Sequence, residues 1–519
     1  MFDNQEQQKF TIAVIGAGGA CVAFLHHLVV SLAPSQAAAL RVQVFEPRPC
    51  AGPGLAYQED EETLLLNRVA ETMSVSASDY STFSAWLRWK SHHARELRPV
   101  SAANLSAAYV PRPVFGRFLA DFFRETLDSA RQKGLEIDVV PAAVQGIRRG
   151  TRYLIETPGA RYEADSVVLA VGNTGARDHY QLGGHARFLD SPYPVRQRIR
   201  PLLGARRICV IGAGLSAVDV AVSLREMGYQ GGIDLVSRGG SLPFVRGRQA
   251  QAHQPRYLTQ AALIRLSNHG ATRIGLRALG RLLRAELRTV GYDWRALFRD
   301  SADPLASLRA DTGAAGEVCQ WQLVLAATNA VVSTAWHALD AASQDVVLKR
   351  FARQWRARRA PMPRENALKL LQMIERGQLR LLRGAPAFDR SSADAISATT
   401  AAGTVRYDYV INATGSAQWV DTPQDSALVW QMLQDGLAVR DPRGGIRVDF
   451  GTGAVIDQHN EPDWNLRALG QITNGSYFFV SSLEMIARHA RRIADDLLAT
   501  LPYEGRRVIG QPTLVPVAE

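Results

Sequence analysis

The sequence predicts an α/β protein made of two interleaved Rossmann-like dinucleotide-binding domains with a helical insertion. Three observations predict it. An apolar stretch runs into a glycine turn at residues 11–21, TIAVIGAGGAC; the same construction returns at 207–217, RICVIGAGLSA; and a long segment rich in Ala, Leu and Arg follows the second copy. A lone G-x-G-x-x-G is weak evidence, whereas two copies, each between a strand pattern and a helix pattern, are strong. At 519 residues the chain also exceeds the roughly 250–300 residues at which a single core stops growing, so several domains are required.

The first element is the apolar strand ending at Ile15. Gly16 permits the tight turn, Gly18 lets the backbone approach a pyrophosphate, and Gly19 and Ala20 begin a helix whose first N–H groups face the phosphates. The third small position is held by Cys21, only slightly larger than Ala and readily buried, so we read it as a packing substitute. The next strand, RVQVFEPRP, ends in Glu46 and Pro47, and the acid suits the ribose hydroxyls of FAD or NAD. Short strands are expected within 133–140, 146–156 and 165–172, the last ending in Gly172.

The second turn has Gly212, Gly214 and Ala217 at the required spacing, with Ser216 opening the helix. Its following strand ends in Ser237 and Arg238, with no acid; an arginine there suits the 2'-phosphate of NADPH. Residues 251–378 read as a helical insertion of the kind that covers an active site. A near duplicate of the earlier glycine-ended strand, YDYVINATG, ends at Gly415. The expected organisation is therefore 1–200 for the first part of the FAD domain, 201–250 and 379–415 for the NADPH domain, 251–378 for the insertion, and 416–519 for the return to the FAD domain.

Composition narrows the function. Hydrophobic residues at 46% and charged residues at 21% are ordinary for a folded protein. The net charge of +11 raises nucleic acid as a partner, but the basic residues are scattered, as in RFARQWRARR at 350–359, and carry no recognition motif. We expect no nucleic-acid partner and read such runs as solvated faces or as sites for small anions. Cys21, Cys50, Cys209 and Cys319 lie far apart, which argues against a disulfide framework and a metal site. The most apolar long window, 320–339, is broken by polar residues and reads as a buried helix, not a membrane span. A cytoplasmic protein without a membrane partner is the expectation.

With these motifs the sequence resembles bacterial flavoproteins with two dinucleotide-binding domains, specifically the group that includes amino-acid N-hydroxylating monooxygenases such as the nitrosuccinate-forming aspartate N-monooxygenases. GPGLAYQEDEETLLLNRVAETMSV is similar to the segment that lies near the flavin ring in that family, which implicates Tyr57, Leu66, Asn67, Met73 and Ser74. YVPRPVFGRFL implicates Arg112 and Gly116, PAAVQGI implicates Val144 beside the adenine on a strand, and LRALGQITNGSYF implicates Gly470 and Gln471. Arg68 follows Asn67 where an apolar residue is common; it suits a carboxylate substrate or a cofactor phosphate, or else lies at the surface. Asn67 and Arg68 are the candidate catalytic residues.

The resemblance implies FAD and NADPH as cofactors and molecular oxygen as co-substrate. It implies N-hydroxylation of a small amine or amino acid through a flavin 4a-hydroperoxide. His253 and His337 in the insertion are weaker candidates for a role. Two alternatives stay open: an FAD-dependent NAD(P)H oxidoreductase that inserts no oxygen, and a nucleotide-binding protein without turnover.

Overall fold

The structure is a computed structural model and describes residues 9–93, 109–248, 251–299, 301–400, 403–478, 480 and 482–501. Its first sheet has six strands in the order Ala454–Ile456, Pro462–Ala468, Ser166–Leu169, Phe10–Ile15, Leu40–Phe45, Glu136–Val140. All neighbours are parallel except the pair formed by Ala454–Ile456 and Pro462–Ala468. The first strand is buried from Thr11 to Ile15, as a parallel strand covered on both faces must be. Helix Gly19–Ser31 packs on it, and the closing helix Leu483–Thr500 lies against that helix through Ala487, Ala490, Ile493 and Ala494. The C-terminal chain thus completes the N-terminal domain.

The second sheet repeats the plan with five parallel strands in the order Leu379–Arg383, Gly232–Ser237, Arg207–Ile211, Tyr409–Asn412, Phe188–Leu189. Phe188–Leu189 lies upstream of residue 201, so the chain has already entered this domain there. In each domain a three-stranded antiparallel sheet, spanning 146–164 in the first and 387–407 in the second, precedes the fourth parallel strand. The expected strand over 146–156 is in fact two, Gly146–Arg149 and Tyr153–Glu156, paired as a hairpin. Gly150 sits between them, where the chain reverses.

The insertion is helical from Gln260 onward, but its last helix, Arg364–Glu375, belongs to the second domain: Ala367, Leu370 and Met373 pack with Val218, Val222 and Leu235. That helix is the crossover that a parallel pair of strands requires. The window at 320–339 is not one helix. It forms Gln320–Ala327, a 3-10 turn at Thr328–Ala330 and Val332–Ala338, because Thr328 returns its hydroxyl to the Leu325 carbonyl and Asn329 turns its side chain to Glu484. The second piece is pinned to the first domain: the Trp336 indole donates to the Gly475 carbonyl at 2.7 Å and stacks on Phe478. Among the described residues no helix is long and apolar enough to cross a membrane.

Candidate functional site

Both glycine turns are sterically required. A Cβ on Gly16, at φ +95°, would stand 2.6 Å from the Ala170 carbonyl oxygen, and a Cβ on Gly212, at φ +123°, would stand 2.6 Å from that of Ala413. Each turn is therefore pressed against the end of the neighbouring fourth strand. The helices that follow begin at Gly18 and Gly214 without a side-chain cap, which leaves their first-turn N–H groups for a ligand. Cys21 and Ala217 are both fully buried behind the turns, and burial raises the Cys21 thiol pKa far above its ordinary value.

The second turn opens onto a cleft of about 1450 Å³ whose wall includes Gly212, Gly214, Ser216, Ser237, Arg238 and Gly415. A Cβ on Gly214 would meet nothing within 4 Å, so the backbone there is accessible to a pyrophosphate. Arg177, Arg238, Arg353, Arg356 and Arg383 make the cleft strongly cationic. Burial, and then the charges of Arg177 and Arg238, lower the pKa of His179 on the same wall. An NADP phosphate fits this donor set.

At the first turn Gly16, Gly18, Gly19 and Ala20 are half-buried, and Gly54 approaches so closely that its Cβ would stand 3.0 Å from the Gly18 Cα. Glu46 is buried at the end of its strand and Pro47 beyond it is exposed. The Glu46 carboxylate accepts the Ala17 N–H at 3.0 Å and the Arg48 guanidinium at 2.8 Å, which hold its pKa below the usual range against the cost of burial. A carboxylate has about four lone-pair sites, so a ribose diol fits by sharing the edge that the half-exposed Arg48 now holds. Val144 follows the Glu136–Val140 strand and lies in a loop, not on a strand; PAAVQ reaches the sheet edge only at Gly146.

A second, smaller cavity of about 110 Å³ brings together Tyr57, Asn67, Arg68, Met73 and Ser74 from the first domain, Ser482 just before the closing helix and Glu484 within it, and Arg246, Asn329, Arg358 and Arg359 from beyond the second turn. Leu66, beside Asn67 in sequence, is buried and does not line this cavity; its N–H donates to the Val110 carbonyl at 2.9 Å. Arg68 is no surface residue: its guanidinium donates to Glu484 at 3.0 Å and to the Thr72 hydroxyl. Glu484 also accepts from Arg488 at 3.0 Å and Asn329 at 2.8 Å, and these charges keep its pKa low although burial alone would raise it. Ser74 uses its hydroxyl on the Asp79 carbonyl at 2.6 Å, shaping the loop that carries Met73. Gly470, at φ +90°, is buried with open space where a Cβ would stand, and Gln471 starts the turn after it.

Other expected residues lie elsewhere. Arg112 joins the two domains: it pairs with Asp219 of the second domain's first helix at 2.7 Å, and the Tyr193 hydroxyl donates to the same carboxylate at 2.6 Å. Gly116 seats the 51–57 loop, since a Cβ there would strike the Tyr57 carbonyl oxygen. His253 is bonded to Glu286, and His337 is stacked on Phe450 with its pKa lowered by burial to about 4; neither lines either cavity.

The residues that sequence reading missed are Arg246, Arg358, Arg359 and Glu484. The signal was present in RFARQWRARR, but helical periodicity alone does not distinguish a solvated basic face from one turned inward. Arg358 is only 5% exposed; its guanidinium donates to the carbonyls of Ala296 and Arg299 and covers the Phe244 ring.

Residues 13–174 match the family described as FAD-NAD(P)-binding. The fold is shared with solved flavin monooxygenases. L-lysine 6-monooxygenase from Pseudomonas syringae superposes with a TM-score of 0.58 at 16% identity, covering 95% of this chain and 100% of that one. The ornithine N-hydroxylase of Kutzneria sp. 744, solved with reduced FAD, NADP+ and L-ornithine, gives 0.54 at 15% identity, covering 94% and 99%. The cadaverine monooxygenase of desferrioxamine biosynthesis from Erwinia amylovora, bound to FAD, gives 0.52 at 12% identity, covering 99% of each chain. No curated protein sequence matches the chain.

Proposed function

We propose that this protein is an FAD- and NADPH-dependent monooxygenase that hydroxylates the nitrogen of a small amine or amino acid. The observation that carries the reading is the meeting of the two cavities: Arg358 and Ala360 line both the cleft at the second turn and the chamber at Asn67 and Met73. Residues that would hold a nicotinamide cofactor in the cleft and those that would hold a flavin at the chamber are therefore joined through Arg358 and Ala360. The shared fold with solved N-hydroxylases supports the same assignment.

When bound, FAD reduced by NADPH supplies the oxygen-activating chemistry. The chain's own residues do the rest. The first turn and Glu46 hold one dinucleotide, and the second turn with Arg238 holds the other. Tyr57, Asn67, Met73 and Ser482 shape the chamber and keep it small. A reacting amine must be neutral, and the arginines around the chamber favour loss of its proton through like-charge repulsion. The four cysteines are unpaired, in keeping with a cytoplasmic setting.

The test is NADPH consumption by the FAD-loaded protein against a panel of amino acids and amines, with hydroxylamine and hydrogen peroxide measured in parallel. Coupled hydroxylamine formation is expected with at least one compound. NADPH oxidation without hydroxylamine under any condition identifies the electron-transferring alternative, and a protein that takes up no FAD rejects both.

A further inference from the structure

The chamber carries four guanidinium groups, Arg68, Arg246, Arg358 and Arg359, against one carboxylate, Glu484. Arg68 is accounted for by Glu484; Arg358 and Arg359 each have a buried Nε without a partner, but their terminal nitrogens bond to the Ala296 and Arg299 carbonyls and to the Asn329 side chain respectively. Arg246 is not so held. It stands on the chamber wall with its Nε buried and without a hydrogen-bond partner, and its terminal nitrogens make no ion pair or hydrogen bond among the described residues. Ser482, on the same wall, also has a buried hydroxyl without a partner among the described residues.

Arg246 is half-buried, and sealing a guanidinium nitrogen from water without a partner is costly, so the group calls for a ligand or a structural reason. The backbone around Arg246 is held firmly, its N–H donating to the Met362 carbonyl at 2.9 Å, so the side chain is presented from a fixed base. We propose that Arg246 is a specificity-determining residue that takes a carboxylate of the substrate, so that the chamber selects small anionic molecules and rejects diamines. Ser482 supplies a neutral donor beside it, and Arg359 adds positive potential to the same space.

Independent features point the same way. Burial presses the pKa of Arg246 down to about 10, with Tyr109 opposing and Arg68 adding to the shift, and burial with the charges of Arg68 and Arg246 presses that of Arg359 to about 9 against the pull of Glu484. Glu484 offsets only part of this like-charge repulsion, which a second anion in the chamber would relieve further. A second ammonium group placed here would meet the same repulsion. The cavity, at about 110 Å³, is well below the roughly 300–1000 Å³ of drug-sized pockets, which restricts the ligand to a few heavy atoms.

The inference rests on the proposed function only in assigning the chamber to the substrate, and its test needs no turnover. The FAD-loaded protein is titrated with succinate and, separately, with cadaverine, and thermal unfolding and the flavin absorbance spectrum are followed. Succinate is expected to raise the melting temperature and perturb the spectrum, and cadaverine to do neither. Arg246→Gln is expected to keep FAD, to melt no lower than the parent without ligand because an unpartnered charge is removed, and to bind succinate at least about tenfold more weakly. Arg246→Lys should recover part of the loss. Equal responses to cadaverine and succinate overturn the proposal, as does an Arg246→Gln protein that binds succinate normally. If Arg246→Gln purifies without FAD, Arg246 serves the cofactor and the proposal also falls. A monooxygenase that turns over only diamines would refute the inference while leaving the proposed function standing.

Discussion

Gly16 and Cys21 occupy the same turn and respond oppositely to substitution. At Gly16 both the positive φ and the 2.6 Å approach to the Ala170 carbonyl forbid a side chain, so Gly16→Ala should shift the turn, lose FAD and destabilise the domain by about 1–3 kcal/mol. Cys21 is fully buried among apolar neighbours, and Cys21→Ala removes one sulfur from a packed wall, costing about 1–2 kcal/mol while retaining FAD. Flavin absorbance and thermal melts of the purified variants check both. The pair was legible in the sequence because glycine spacing encodes backbone geometry directly. Arg246 was not, since nothing in SLPFVRGRQ reports where its side chain lands.

Asp311 makes a pH prediction at the same scale. It lies on the cleft wall, and burial raises its pKa to about 6, with Arg358 only partly opposing the shift. The raised value means the folded protein binds the proton more tightly than the unfolded chain. Stability is therefore lost as pH rises from the ordinary aspartate range through about 6. Asp311→Asn should raise the unfolding free energy by about 1 kcal/mol at pH 8, allowing for the half-exposed setting, and the gain should vanish toward pH 4. Melting curves across that range decide it.

At the scale of elements, the sequence announces strands and turns better than helix contacts. The two sheets follow from their apolar runs, and the duplicated SVVLAVGN and YDYVINATG strands occupy equivalent fourth positions beside the glycine turns. Arg364–Glu375 was absorbed into the insertion because its amphipathic pattern is the same whether it covers a sheet or other helices; only the parallel pairing of Gly232–Ser237 with Leu379–Arg383 reveals it as a crossover. Arg112, read as a cofactor contact, also ties the helix Arg112–Gln132 to Leu215–Glu226 through Asp219, which its sequence did not announce. Asp219→Ala strands a largely buried guanidinium and should cost about 3–5 kcal/mol in a chemical-denaturation series. Replacing both partners, Arg112→Met with Asp219→Leu, should recover most of that loss.

For the whole molecule, the small chamber exists only because three regions distant in sequence converge. Asn67 and Met73 come from the first domain, Asn329 and Arg359 from the insertion, and Ser482 and Glu484 from the returning C-terminal chain. Its cofactor side was foreshadowed by motifs that serve a fixed ligand. The wall carrying Asn329, Arg358 and Arg359 was not, since it is assembled by tertiary packing of helices whose sequences encode only an amphipathic face.

Arg358, standing on the wall of both spaces, closes a thermodynamic cycle. Whatever factor an occupant of the chamber imposes on dinucleotide affinity in the cleft, the dinucleotide must return to the chamber's occupant. With the proposed substrate in the chamber and the proposed dinucleotide in the cleft, contacts of both with this shared guanidinium would let each report on the other's presence, with no movement of the domains required.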